Sequence, residues 1–135
     1  MDTITLEKSI KVFYKTASSF PEGVLAAHQS LHALIPYSRD RNYFGISRPE
    51  NGGGIVYKAA AEEKYPGEGE KLNCETMVIE QGKYLAIDVP DFMKNISAIE
   101  KAFTQLISQP GIDPEGYCVE WYINDTDVRC MVRLQ

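Results

Sequence analysis

The spacing of apolar and polar positions changes period several times along the chain. Ile4 and Leu6 alternate with polar neighbours, and Val12, Phe13 and Tyr14 follow as an apolar run. Thr3 to Ala17 therefore predicts one bent strand or two short ones. Ser18-Ser19-Phe20-Pro21-Glu22 carries the signs of a helix start, a serine cap and a proline in the first turn. Val24, His28, Leu31 and Ile35, with Leu25 and Leu34 alongside, recur at helical spacing until Pro36 stops the helix. Asn42 to Ser47 and Gly54 to Glu63 predict two strands, separated by Pro49 and the glycines Gly52 to Gly54. Tyr65 to Glu70, with Pro66, Gly67 and Gly69, reads as a loop in the middle of the molecule.

From Cys74 onward a short strand turns at Gly82 into another. A second helix is expected from Asp91 or Asn95 to Ser108, with Ile96, Ile99, Phe103, Leu106 and Ile107 on one stripe and Pro110-Gly111 at its end. Tyr117 to Leu134 then reads as a hairpin around the turn residues Asn124 to Asp127. A two-residue loop at Asp125 and Thr126 would pair Ile123 with Val128, Trp121 with Cys130 and Val119 with Val132. Both apolar rows would then lie under the helices, and Glu120 and Tyr122 would face the other side. An odd loop length would mix the faces.

The halves share a pattern. Thr3 to Glu7 lies over Thr76 to Glu80, and Val24, Leu31 and Ile35 lie over Ile96, Phe103 and Ile107. Pseudo-repeats at about 3–63 and 74–134 are expected, each strand-helix-strand-strand, within one domain spanning 1–135. The fold class is α+β: one curved antiparallel sheet, two helices on one face and a ligand groove on the other.

Composition narrows the function. A chain of 135 residues, 44% hydrophobic, can bury a core without disulfides or a structural metal. A net charge of −5 with no basic run argues against direct DNA binding. Cys74, Cys118 and Cys130 show no zinc spacing, no signal peptide leads the chain, and no apolar stretch nears the ~20 residues of a membrane span. A cytoplasmic protein without membrane association is the expectation.

No nucleophile elbow or phosphate-cradling glycine motif is present; Gly52 to Gly54 lacks the Lys-Ser/Thr of a P-loop. His28 and His32 stand one helical turn apart, as metal ligands can, but no partner ligand is placed by sequence, so no metal or cofactor is expected. Glu62, Glu63, Glu68 and Glu70 read as a solvated acidic surface. Glu120 is the sharpest candidate, because a carboxylate among tyrosines in a shielded cleft attracts a cation far more than one in bulk water. The plainer reading pairs it with Arg129. Tyr122, Tyr57, Tyr43, Tyr14 and Tyr84 are candidate walls, each an apolar body with a polar tip, although tyrosine is also common in ordinary strands.

Several motifs, in order, carry a resemblance over nearly the whole chain. FPEGV before the first helix, YFGIS, GIVYKAAAEE, the I-x-x-G-K-Y-L-A pattern of Ile79 to Ala86 and V-E-W-Y at Val119 to Tyr122 resemble the GyrI-like small-molecule-binding domain. That is the effector-binding domain of AraC- and MerR-type bacterial transcription activators. The resemblance implies a cleft lined with aromatics and an acid facing lipophilic, often cationic ligands, with the family's E-x-Y strand falling on Glu120 and Tyr122. It implies sequestration or sensing of such a molecule, in multidrug-binding fashion. Two alternatives come with it: hydrolysis of strained cyclopropane-type natural products by Glu120 and Tyr122, and inhibition of gyrase or contact with a separate regulator. Two departures stand out: no helix-turn-helix precedes the domain, which implies a freestanding member, and the proline usual near the end of the last strand is missing. The sequence leaves the ligand, the protein partner and the oligomeric state open.

Overall fold

A computed structural model describes residues 1–50 and 52–135. Eight strands form one antiparallel sheet: β1 (Asp2–Leu6), β2 (Ile10–Thr16), β3 (Tyr43–Pro49), β4 (Ile55–Glu62), β5 (Glu75–Ile79), β6 (Gly82–Val89), β7 (Cys118–Trp121) and β8 (Val128–Arg133). The helices are α1 (Val24–Leu34), a single turn α2 (Glu68–Lys71) and α3 (Ser97–Ile107), with a 3-10 turn at Phe92–Lys94 ahead of α3. The α+β class and the one curved antiparallel sheet are as expected, the sheet being a strongly curled half-barrel. None of the described helices is long and apolar enough to cross a membrane.

The strand order is β1-β6-β8-β7-β3-β4-β2-β5. Exchanging β1 to β4 for β5 to β8 reverses this order and leaves it otherwise unchanged. β3 and β7 meet at the centre, while β1 pairs with β6 and β5 with β2, so each half lends its first strand to the other.

The two faces of the sheet bury different things. On the face away from the helices, Val12, Phe44, Ile46, Ala60, Ile79, Tyr84, Ala86, Val119 and Met131 pack together, and the curl of the sheet closes over them. The other face splits into two clusters. Ala27, Leu31 and Ile35 at α1 cover Phe13, Tyr43, Tyr57, Ala59 and Ala61, while Ala102 and Leu106 of α3 cover Val89, Val128, Cys130 and Val132. In each helix an alanine one turn before a buried leucine lets the backbone settle close to the strands.

Four local expectations change. The stripe on α3 runs through Ala102 and Leu106, and Ile96 and Ile107 stand 60% and 58% exposed at its ends. The stretch Tyr65 to Glu70 is not all loop, since Glu68 opens α2. Glu68 is also buried rather than solvated: Arg41 forks onto it at 2.8 and 3.0 Å. The last hairpin is the largest correction. Cys118 pairs with Val132, Val119 with Met131, Glu120 with Cys130 and Trp121 with Arg129. The loop is odd, because Asn124 Oδ1 accepts from the Thr126 and Asp127 amides at 2.9 and 2.8 Å and folds an extra residue into the turn. The one-residue change of register sends Val119 and Trp121 to the inner cluster and brings Glu120 and Tyr122 to the helix side.

Candidate functional site

The Glu120 carboxylate sits at the centre of the sheet, on β7 opposite Gly45 of β3. Its Oε1 accepts from Tyr122 Oη at 2.5 Å and from Tyr57 Oη at 3.0 Å. The two phenol oxygens are 3.2 Å apart. Tyr57 reaches across from β4 because Gly45 leaves its side-chain volume empty: a Cβ there would stand 2.0 Å from Tyr57 Oη and 2.8 Å from Glu120 Oε1. His28, from the underside of α1, completes the group with Nε2 2.8 Å from Tyr57 Oη.

Aromatic rings extend this group along the trough between α1 and α3. Phe92 packs on Tyr122, His28 stands edge-on to both Tyr122 and Tyr57, and Phe20 stacks on Tyr57, with centroid distances of 5.5 to 5.9 Å. Phe20 comes from the segment before α1 and Phe92 from the segment before α3, so corresponding parts of the two halves flank the group. Phe20 is 43% exposed although it covers Tyr57.

Among the described residues no Lys or Arg forms an ion pair with Glu120, and no protein group donates to its Oε2. The expected alternative partner, Arg129, forks onto Asp88 at 2.8 and 3.0 Å and lies over Trp121 on the other face. Glu120 keeps part of its surface open to the trough, yet burial raises its pKa above the ordinary carboxylate value, and the two phenol hydrogen bonds only partly offset this. Burial first, and the neighbouring acid second, push Tyr57 and Tyr122 upward as well, so both phenols stay protonated. Burial, helped by His32, lowers His28 to about 4 and leaves its ring neutral. Cys118 and Cys130 flank Glu120 on the same face, and burial raises them to about 11 and 12, so neither thiol is an activated nucleophile. Among the described residues no three His, Cys, Asp or Glu side chains converge as a metal site would require.

Of the expected walls, Tyr122 and Tyr57 join Glu120. Tyr43 shares their face but turns toward the loop after α1, where it accepts from the Ser38 amide at 2.8 Å and stacks on Tyr37. Tyr14 and Tyr84 lie in the inner cluster, their hydroxyls donating to Glu75 at 3.0 Å and the Glu80 carbonyl at 2.6 Å. They do not line this site. His28, Phe20, Phe92 and Gly45 were not singled out as site residues by the sequence; helical spacing marks His28 only as a buried-face position. A hollow of about 220 Å³ lies at one end of the trough, between Tyr37–Tyr43 and Tyr122–Asp125, and reaches the Glu120 group only through Tyr122. Another, of about 290 Å³, lies between β6 and α3, away from the acid.

No protein-family profile matches this chain, and no curated protein sequence matches it at a significant level. Solved structures do. An integron cassette protein from the mobile metagenome of Vibrio cholerae is similar over 99% of this chain and 95% of its own, with TM-score 0.74 and 9% identity. A hydrolase from Listeria innocua is similar over 99% of this chain and 90% of its own, with TM-score 0.60 and 12% identity. At such identities the likeness is one of fold.

Proposed function

We propose that this protein binds a hydrophobic, positively charged small molecule in the trough between α1 and α3, for sequestration or sensing. Glu120 serves as the counter-charge and Tyr57, Tyr122 and His28 form the walls. One observation carries the reading: a carboxylate ringed by aromatic groups, between two helices, keeps one oxygen without a partner and has no cation beside it among the described residues. Removing a carboxylate from water is unfavourable unless something offsets it, and a ligand cation would do so while gaining about 0.5–2 kcal/mol from each ring face it covers. The GyrI-like resemblance points the same way.

The pH dependence follows from the raised acid. Cation affinity is low while Glu120 is protonated, rises as pH passes through its elevated pKa, and levels off above it. Without ligand the same group makes the fold less stable as pH climbs above 4.5 toward that value, because the folded state holds the proton more tightly than the unfolded one. Titration calorimetry with a panel of lipophilic cations tests this. Glu120→Gln is expected to weaken binding by at least about tenfold and to abolish the pH dependence, with the unfolding transition retained. Equal affinity in the variant and wild type would remove Glu120 from the site.

A hydrolytic reading has one feature in its favour. The free Oε2 beside two protonated phenols can take a proton from water, or deliver one to a leaving atom, while a phenol supports the developing charge. The fold neighbour named a hydrolase is consistent with this, and a strained ring is the substrate class such a modest acid site would need. Turnover of a cyclopropane-bearing compound that Glu120→Gln abolishes would favour it. The gyrase-directed reading rests on the resemblance alone.

A further inference from the structure

The inner face of the sheet carries a second group of charges, and its cations are loosely held. Lys58 lies on β4 opposite Ile46, and Arg48 lies two positions further along β3, opposite Val56. Strand alternation puts both on the face of Ile46 and Ala60, away from the helices and from Glu120. The Lys58 side chain is only 12% exposed, and its ammonium stands over the Tyr14 and Tyr117 rings at 4.9 and 5.4 Å. Arg48 lies over Tyr117 at 4.1 Å and is pinned there by donation from Nη1 to the Glu115 carbonyl at 2.7 Å. Tyr14 donates to Glu75; burial first, and then this bond, raise its pKa to about 12, so the ring beside Lys58 brings no charge of its own.

Among the described residues Glu50, just past the end of β3, is the carboxylate that faces both cations. Its Oε1 is 3.6 Å from Arg48 Nη2 and its Oε2 is 3.8 Å from Lys58 Nζ, each beyond hydrogen-bond reach. The pairs of Arg39, Arg41, Lys64 and Arg129 are tight by comparison, at 2.8 or 2.9 Å. An ammonium drawn out of water without an acceptor is unfavourable, and Glu50 spans the gap without closing it. We propose that Arg48 and Lys58 form a binding site for a phosphate group, free or carried on a small molecule, whose place Glu50 takes in its absence. A phosphate has enough acceptor oxygens to receive from the guanidinium and the ammonium together. Two positive charges balance a dianion, whereas a monocarboxylate leaves one of them uncompensated. Glu50, partly exposed, turns out to water as the phosphate enters. The site shares no residue with the trough and does not rest on the reading of Glu120.

Titration calorimetry of the full chain at pH 8, where phosphate is a dianion, tests this, with tyrosine ring signals followed by nuclear magnetic resonance. The probes are inorganic phosphate, phenyl phosphate and acetate, at an ionic strength held constant with sodium chloride so that screening is equal. Inorganic phosphate is expected to bind saturably and to shift the Tyr14 and Tyr117 ring signals, with acetate at least about tenfold weaker. Tighter binding of phenyl phosphate would assign the site to a phosphorylated small molecule, and equal or weaker binding to the free ion. Lys58→Met keeps an apolar stem between the rings and should weaken phosphate at least about tenfold. Glu50→Gln removes the competing charge and should tighten it at least about fivefold; a purely structural role for Glu50 predicts no tightening. Absence of saturable phosphate binding by the wild type, or unchanged affinity in Glu50→Gln, would overturn the proposal. The wild-type titration decides the matter even if Lys58→Met fails to fold.

Discussion

Gly45 decides whether Glu120 can meet its phenols at all. Its φ is not in the left-handed region, so the position needs glycine for space rather than for backbone freedom. An added Cβ would fall 2.0 Å from Tyr57 Oη and 2.7 Å from its Cζ, and the buried ring has little room to retreat beneath Phe20. Gly45→Ala is expected to turn Tyr57 out of the group, break its contacts with Glu120 and His28, and destabilise the fold by about 1–3 kcal/mol. Urea unfolding measures the second effect and a change in the Tyr57 ring signals by nuclear magnetic resonance the first; stability within about 0.5 kcal/mol of wild type would show that the cradle is slack. In the sequence this glycine is visible only as a break in a strand run, which signals close approach by some other group. Nothing local says that the visitor is a tyrosine further along. His28 is similar. Its helical spacing shows that it faces inward, but the meeting with Tyr57, twenty-nine positions away, depends on how α1 lies across β4.

At the scale of elements, alternation along β7 was legible and its orientation was not. The grouping of Cys118, Glu120 and Tyr122 on one side follows from the two-residue period alone. Which side faces the helices depends on the parity of a loop, and here Asn124 sets that parity through side-chain bonds that an ordinary hairpin template does not anticipate. α2 was hidden for a related reason: a four-residue turn has no periodicity to read, and its glutamates look like any solvated acidic stretch. Its anchor is a buried pair. Arg41 and Glu68 have side chains 8% and 7% exposed, and Arg41 also donates to the Glu62 carbonyl while the Lys64 amide donates to Glu68. The Arg41 contact, joined by that amide, lowers the Glu68 pKa, so truncating the arginine leaves an isolated carboxylate in the interior. Arg41→Ala is expected to cost about 3–5 kcal/mol, and the double change Arg41→Met with Glu68→Leu clearly less than the sum of the single ones. Thermal and urea unfolding of the three variants check this; a single-variant loss under about 1 kcal/mol would mean that the pair behaves as a surface contact.

At the scale of the molecule, the curled sheet positions the acid because the two halves are interlocked rather than merely adjacent. Three strand pairings cross between them: β3 with β7, β1 with β6 and β2 with β5. The repeat of strand and helix patterns was readable from residues such as Thr3 and Thr76, but the exchange of first strands was not, since alternation fixes which residues share a face and says nothing about which neighbour completes a ladder. The exchange has a consequence for folding. A fragment of residues 1–66 would keep β1 with no partner, leave the outer edge of β2 bare and expose the central edge of β3; residues 67–135 would leave β5, β6 and β7 in the same condition. Each fragment retains one long helix, α1 or α3, on a three-stranded remnant with both edges unpaired, which is a poor base for independent stability. Either fragment alone is expected to show little fixed structure by circular dichroism. Their equimolar mixture should regain the sheet and a melting temperature that rises with concentration, as binding between folded-state partners requires. A dispersed, cooperatively melting spectrum from residues 1–66 alone would instead mean that a half supports its own side of the trough. Glu120 would then owe its setting to the docking of two finished units, and weakening the β3–β7 contact would open the site without unfolding either half.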